Sequence, residues 1–151
     1  MMRRGSGHIT NVGSIDGIIP VPGQAAYCGS KFAVTGLTEV LHYDLKQCGI
    51  GVTLVLPGYV NTPMAQAMPV RDMSFDFKGS SLAIRMVAAF GNSPKKIARH
   101  IADAVAYDRF LVIPGWPSRA IYHFKRLFPG LATSAGLGTA RVFTVLRRHL
   151  A

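Results

Sequence analysis

Apolar and polar positions follow two different periods along this chain, and the changes of period predict its elements. Gly7 to Val12 reads as a short strand with Ile9 and Val12 as its apolar positions. Residues 13–24 form a loop rich in Gly and Pro. From about Ala25 to Gln47 the pattern is helical: Val34, Leu37, Leu41 and Leu45 recur at three- and four-residue steps and predict one apolar face. Gly49 and Gly51 stop that helix. Val52 to Leu56 is short and apolar enough for a buried parallel strand, and Pro57-Gly58 ends it.

Residues 59–93 have no clear period, although Ser81 to Phe90 suits a short helix. Ser93-Pro94 then places an N-cap before a proline at the first helical position. The helix predicted over 94–107 carries Ile97, Ile101, Ala104 and Val105 on one face, and Arg109 to Pro114 is a third strand candidate. The alternation of strands and helices predicts α/β architecture with a parallel sheet. Residues 115–151 add two amphipathic pieces, one with Ile121, Phe124, Leu127 and Phe128, the other with Val142, Val145 and Leu146. Trp116 and the aromatic residues of this tail are expected to pack a core.

Composition narrows the class. With 151 residues, 49% of them apolar and 16% charged, the chain can bury one real core and does not read as disordered. No apolar run is long enough to span a bilayer, and Met1-Met2-Arg3-Arg4-Gly5 lacks the apolar stretch of a signal peptide. Cys28 and Cys48, read as lying on one helix, fit free thiols in a reducing cytoplasm. The five histidines have no metal-ligand spacing, so no metal site is expected. The formal net charge is +10. Nucleic-acid binding ranks low for want of a recognisable motif. The charge is instead concentrated late: no Asp or Glu follows Asp108, whereas Arg109, Arg119, Lys125, Arg126, Arg141, Arg147 and Arg148 do. A membrane surface, an acidic partner or a solvated face would each account for such a tail. Cytoplasmic localisation is expected, with membrane association as the alternative.

Three groups of residues carry candidate chemistry. Tyr27 and Lys31 are four apart on the predicted helix and share one face. Ser14 follows the end of a strand, where open α/β sheets place their ligands. Pro57-Gly58 follows the next strand, with Thr62 four residues later. Taken singly, Ser14 fits a loop cap and Thr62 a turn hydroxyl.

Together these residues resemble the short-chain dehydrogenase/reductase family. Gly7-His8-Ile9-Thr10-Asn11-Val12-Gly13-Ser14 is similar to the family's strand and serine, with Gly13 where many members have a second serine. Tyr27-Cys28-Gly29-Ser30-Lys31 resembles its YxxSK signature, continued by Phe32 to Thr38, and Leu56-Pro57-Gly58-Tyr59-Val60-Asn61-Thr62 resembles its PGxxxT segment. The likeness runs to about residue 65 and more loosely to about 114. It implies a Rossmann-like doubly wound parallel sheet, of which this chain holds the C-terminal half over residues 1–114, followed by a basic extension over 115–151. It implies an oxidoreductase that interconverts an alcohol and a ketone with NAD or NADP. Tyr27 would deliver the proton, Lys31 would stabilise the phenolate and hold the nicotinamide ribose, and Ser14 would hydrogen-bond the reacting oxygen. Pro57, Gly58, Val60 and Thr62 would surround the nicotinamide carboxamide. Helix 25–47 resembles the helix that pairs subunits in homodimers or homotetramers.

The sequence contains no glycine-rich dinucleotide fingerprint and no residue placed to choose between NAD and NADP. The family's catalytic asparagine, on the helix before Gly7, is not in it either. The chain is therefore expected to begin inside a domain, at the end of a helix and its turn over Met1 to Ser6, and to leave an exposed edge on the strand near Ile9. The alternatives to an enzyme are an inactive fragment that pairs as a dimerisation module and a peripheral membrane binder that uses the tail. Tyr59, Met64, Met68, Met73, Phe75 and Phe77 follow the active-site strand and have two readings of similar weight: they line an adaptable pocket for a bulky apolar alcohol or ketone, such as a lipid or steroid, or they pack the domain.

Overall fold

The computed structural model describes residues 1–62 and 91–150. Strand β1 (Gly7–Val12) leads through the loop to helix α1 (Ala25–Lys46), which returns to strand β2 (Ile50–Val55). Helix α2 (Pro94–Ala106) and strand β3 (Leu111–Val112) follow, then helices α3 (Trp116–Leu127) and α4 (Pro129–Leu150). The expected helix at Ser81–Phe90 lies outside the described residues, as do Met64, Met68, Met73, Phe75 and Phe77. The strands form one parallel sheet in the order β1-β2-β3, with Gly7 opposite Ile50 and Val12 opposite Val55 at the ends of the first ladder. β1 is thus an edge strand of the described sheet.

The central strand is the core. Ile50, Val52, Leu54, Val55 and Leu56 are buried, and α2 covers them with Ile97 and Ala104. Thr53 is also fully buried, and two bonds remove the cost of its hydroxyl. It donates to the Arg109 carbonyl at 2.7 Å, so the ring Nε2 of His8, also 2.7 Å away, is left to donate to it. Thr38 of α1 is handled in the same way: it donates to the Val34 carbonyl at 2.6 Å and accepts from Asn11 of β1 at 3.0 Å.

Ser93 caps α2 as expected, accepting the Lys96 N–H at 3.2 Å with Pro94 in the first turn. Other expectations need correction. Leu37 is 59% exposed; Val34, Leu41 and Leu45 are half-buried, and Cys28 and Thr38 are the buried positions of α1. Cys48 lies two residues beyond the helix. β3 is only two residues long, Val12 and Val105 face solvent, and the loop after β1 contains a 3-10 turn at Ile15–Gly17. The tail aromatics do not form a core: Trp116, Phe124 and Phe128 are exposed. No helix among the described residues is long and apolar enough to cross a membrane.

Candidate active site

The site lies at the C-terminal ends of β1 and β2. Two backbone bonds carry the pairing of these strands past their ends: Gly13 N–H donates to the Val55 carbonyl at 2.8 Å and Ile15 N–H to the Pro57 carbonyl at 2.9 Å. Ser14, held between them, is buried beside Pro57. Its Oγ accepts the Asp16 N–H at 3.1 Å and so caps the 3-10 turn. The loop-cap role and a place in the site therefore coexist in one residue.

That turn rests directly on α1. A Cβ at Gly17 would lie 2.6 Å from the Lys31 carbonyl oxygen and 2.8 Å from the Thr35 hydroxyl, so only glycine allows this approach. The rest of the loop is anchored below, where Val21 N–H donates to the buried Cys28 Sγ at 3.4 Å. Tyr27 and Lys31, both half-buried, stand one turn apart on α1, and the Lys31 ammonium lies 5.7 Å from the centre of the Tyr27 ring. Ser30, between them in the motif, is exposed and donates to the Tyr27 carbonyl at 2.7 Å.

The segment after β2 closes the other side. Pro57 is buried, and a Cβ at Gly58 would run into the Ser118 hydroxyl of α3. Val60 forms a parallel bridge with Asn92, made by Asn61 N–H to the Asn92 carbonyl and Asn92 N–H to the Tyr59 carbonyl, each 3.0 Å. This bridge leaves out the N–H and C=O of Val60 itself, a donor and acceptor pair suited to a carboxamide. Thr62 is half-buried two residues further on. The structure thus joins the Ser14 loop to Pro57 across the strand ends and, through Gly17, to the backbone of Lys31, with Tyr27 beside the Lys31 ammonium and Val60 and Thr62 on the strand extension beyond.

Three residues escaped the sequence reading. Asp16 is half-buried beside Ser14; burial pushes its carboxyl above the ordinary value, and the Ser14 hydroxyl offsets part of that rise. Asn92 is buried and donates to the Pro114 carbonyl at 3.4 Å, joining the segment after β2 to the end of β3. Lys125 of α3 reaches back to donate to the Ile18 carbonyl and lies 5.5 Å over the Phe32 ring. In sequence Lys125 is one more cation on a basic helix, and Asn92 only precedes a cap; a polar residue flanking Ser93-Pro94 was the available signal for the latter. Among the described residues no group of three His, Cys, Asp or Glu side chains gathers into a metal site.

Known proteins resemble this chain in sequence and in fold. The profile of the short chain dehydrogenase family matches residues 1–72. The Mycobacterium tuberculosis protein SadH, named as an oxidoreductase, is 35% identical over 125 residues, which are 82% of this chain and 45% of SadH. The chain thus spans less than half the length of that relative. Two solved short-chain dehydrogenases superimpose on it. One, from Burkholderia cenocepacia with NADP, has a TM-score of 0.69 and 20% identity over 90% of this chain and 49% of its own. The other, from Burkholderia phymatum with NAD, has a TM-score of 0.64 and 25% identity over 87% of this chain and 51% of its own. With the YxxSK and PGxxxT segments standing where such a fold puts its ligands, the chain belongs to the short-chain dehydrogenase/reductase family.

Proposed function

We propose that this chain carries the proton-transferring half of an NAD(P)-dependent oxidoreductase that interconverts an alcohol and a ketone. The observation that carries this reading is the Lys31 ammonium set over the Tyr27 ring, next to the turn that buries Ser14 at the strand ends. A phenol gives up its proton reluctantly at neutral pH, and a cation one helical turn away stabilises the phenolate that results. In the reduction direction Tyr27 donates its proton to the ketone oxygen, and Lys31 balances the charge left on the ring. Ser14 hydrogen-bonds the same oxygen and stabilises negative charge as it develops. The bound nicotinamide dinucleotide supplies or accepts the two electrons of the reaction.

The residues present suit the nicotinamide end of that cofactor. The Val60 N–H and C=O, outside the bridge to Asn92, match a carboxamide, with Pro57, Gly58 and Thr62 around it. Lys31 would hold the ribose. The NAD in the Burkholderia phymatum relative supports this assignment. The sequence has no glycine-rich strand-to-helix turn for the pyrophosphate, so the 151 residues hold only one end of the dinucleotide. The substrate we favour is a bulky apolar alcohol or ketone, a lipid or steroid, with Tyr59 at the start of its pocket. The test joins the dinucleotide-binding half of a relative ahead of residue 1. Tyr27→Phe should then abolish turnover with cofactor affinity kept, and Lys31→Met should lose both. Normal turnover with Tyr27→Phe rejects the assignment.

A second reading, pairing of subunits through α1, rests on the outer face of that helix. Phe32, Leu37, Val40 and Tyr43 are exposed there, and a Cβ at Gly29 or Gly36 would meet nothing within 4 Å. Such a smooth apolar stripe suits close packing against a second copy. Sedimentation should show a dimer that Val40→Glu dissociates; a monomer at all concentrations removes this reading.

A further inference from the structure

Helix α3 is turned the wrong way round for a helix that covers a core. Its half-buried positions include the polar Ser118, Tyr122 and Lys125, whereas Ile121, Phe124 and Leu127 are 50%, 43% and 70% exposed. Helix α4 continues the pattern, with Leu131, Val142 and Val145 all more than half exposed. Large apolar side chains left in water over two successive helices form a patch that calls for a cover. Charge identifies the cover. Every ionised side chain after Asp108 is basic, and Arg119, Arg126 and Arg141 are exposed on the same helices as the apolar residues. A second copy would bring like charge against like charge.

We infer that α3 and α4 lie on an anionic lipid bilayer, with their outward apolar side chains in the headgroup region, Arg141 beside them on lipid phosphates and the other cations adding long-range attraction. α4 alone, at 22 residues, runs roughly 33 Å along such a surface. It does not need to cross the bilayer to hold it: shallow apolar insertion and several cations together give attachment that salt weakens. The inference is independent of the oxidoreductase reading, because none of these side chains belongs to the proposed site.

The test is co-sedimentation of the 151-residue chain with phosphatidylcholine vesicles, with and without phosphatidylglycerol. Trp116, the only tryptophan, lies at the start of α3 and reports insertion through its fluorescence. The chain should pellet with the anionic vesicles at low salt, shift its emission to the blue, and be released as salt rises. Arg141→Glu replaces a cation with an anion beside the apolar side chains of α4 and should weaken partitioning about thirtyfold. Phe124→Ser and Leu127→Ser should abolish the blue shift, while circular dichroism stays unchanged because both positions are exposed. Binding of equal strength to pure phosphatidylcholine overturns the inference. So does a chain that stays in the supernatant at low salt, which would point to an acidic protein instead, or self-association that shifts Trp116 emission without lipid.

Discussion

Asp16 turns its backbone N–H onto the Ser14 Oγ, 3.1 Å away, and keeps its carboxyl half-buried beside the same hydroxyl. Burial raises that carboxyl above its ordinary value of 3.8, and the Ser14 hydroxyl only partly opposes the rise. The folded chain therefore takes up the Asp16 proton more readily than the unfolded chain. The stability this provides is complete below the ordinary aspartate value and is lost as pH rises through the raised one. Asp16→Asn should remove that loss, so its melting temperature should gain on the parent as pH rises from about 4. Thermal unfolding across the acid range checks this; parallel curves would mean that the Asp16 carboxyl is as well solvated folded as unfolded.

The opposite sign holds at the other end of the sheet. Lys46 donates to Asp108 at 2.6 Å, and this bond lowers the Asp108 carboxyl below its ordinary value; burial opposes it, and the charges of Lys46, His8 and His42 add to the lowering. The contribution is present above the ordinary aspartate value and lost as pH falls through the lowered one. Asp108 has φ of 47°, a conformation asparagine also accepts, so Asp108→Asn isolates the charge. The pair is half exposed, so the loss of melting temperature at neutral pH should be small and should vanish in acid. A deficit that persists undiminished at low pH would assign the effect to something other than the ion pair.

Gly17 is the position where the least added volume should do the most local damage. A methyl group there meets the Lys31 backbone carbonyl at 2.6 Å, and backbone gives way less readily than a side-chain tip. Gly17→Ala should cost about 1–3 kcal/mol. In the fused enzyme it should also lower turnover, since the turn it displaces is the one that holds Ser14. Denaturant titration measures the first effect and steady-state kinetics the second.

Calorimetry of the 151-residue chain with NADH or NADPH should show very weak binding or none. The residues proposed for the cofactor serve only its nicotinamide end, and the sequence has no glycine-rich strand-to-helix turn for the pyrophosphate. A micromolar dissociation constant for either cofactor would require a phosphate site that the sequence motifs do not reveal.

The path from strand to helix to strand was legible because local signals and tertiary packing agree over residues 7–56. β1 appears at its expected residues, the Ser93-Pro94 cap opens α2, and Tyr27 and Lys31 share a face because helical geometry requires it. Leu37 shows where such reading stops. A three- and four-residue step defines a stripe, but the sheet covers only part of it, and Leu37 lies on the uncovered side. Asp16, Asn92 and Lys125 were missed for other reasons. Asn92 and Lys125 act through contacts with distant backbone, such as Lys125 with Ile18, which no short-range pattern encodes; Asp16 bonds Ser14 only two residues away, and what hid it is its burial, which depends on tertiary packing. The tail misled because apolar periodicity marks a face without saying which way it points.

The two-residue strand β3 has a consequence for how the molecule comes apart. Its ladder to β2 is too short to hold by itself, and side chains clamp its two flanks: the Thr53 hydroxyl on the Arg109 carbonyl and the Asn92 amide on the Pro114 carbonyl. Release of both clamps would leave the run from Arg109 to Pro114 on a few backbone bonds, such as Leu54 N–H to the Phe110 carbonyl, while α3 keeps its contacts through Ser118 and Lys125. Amide exchange in that run should then follow a local opening well below global unfolding, while the amides of β2 that bond to β1 exchange last. Among the described residues, the stretch expected to loosen early on heating is thus the one that leads into the two basic helices.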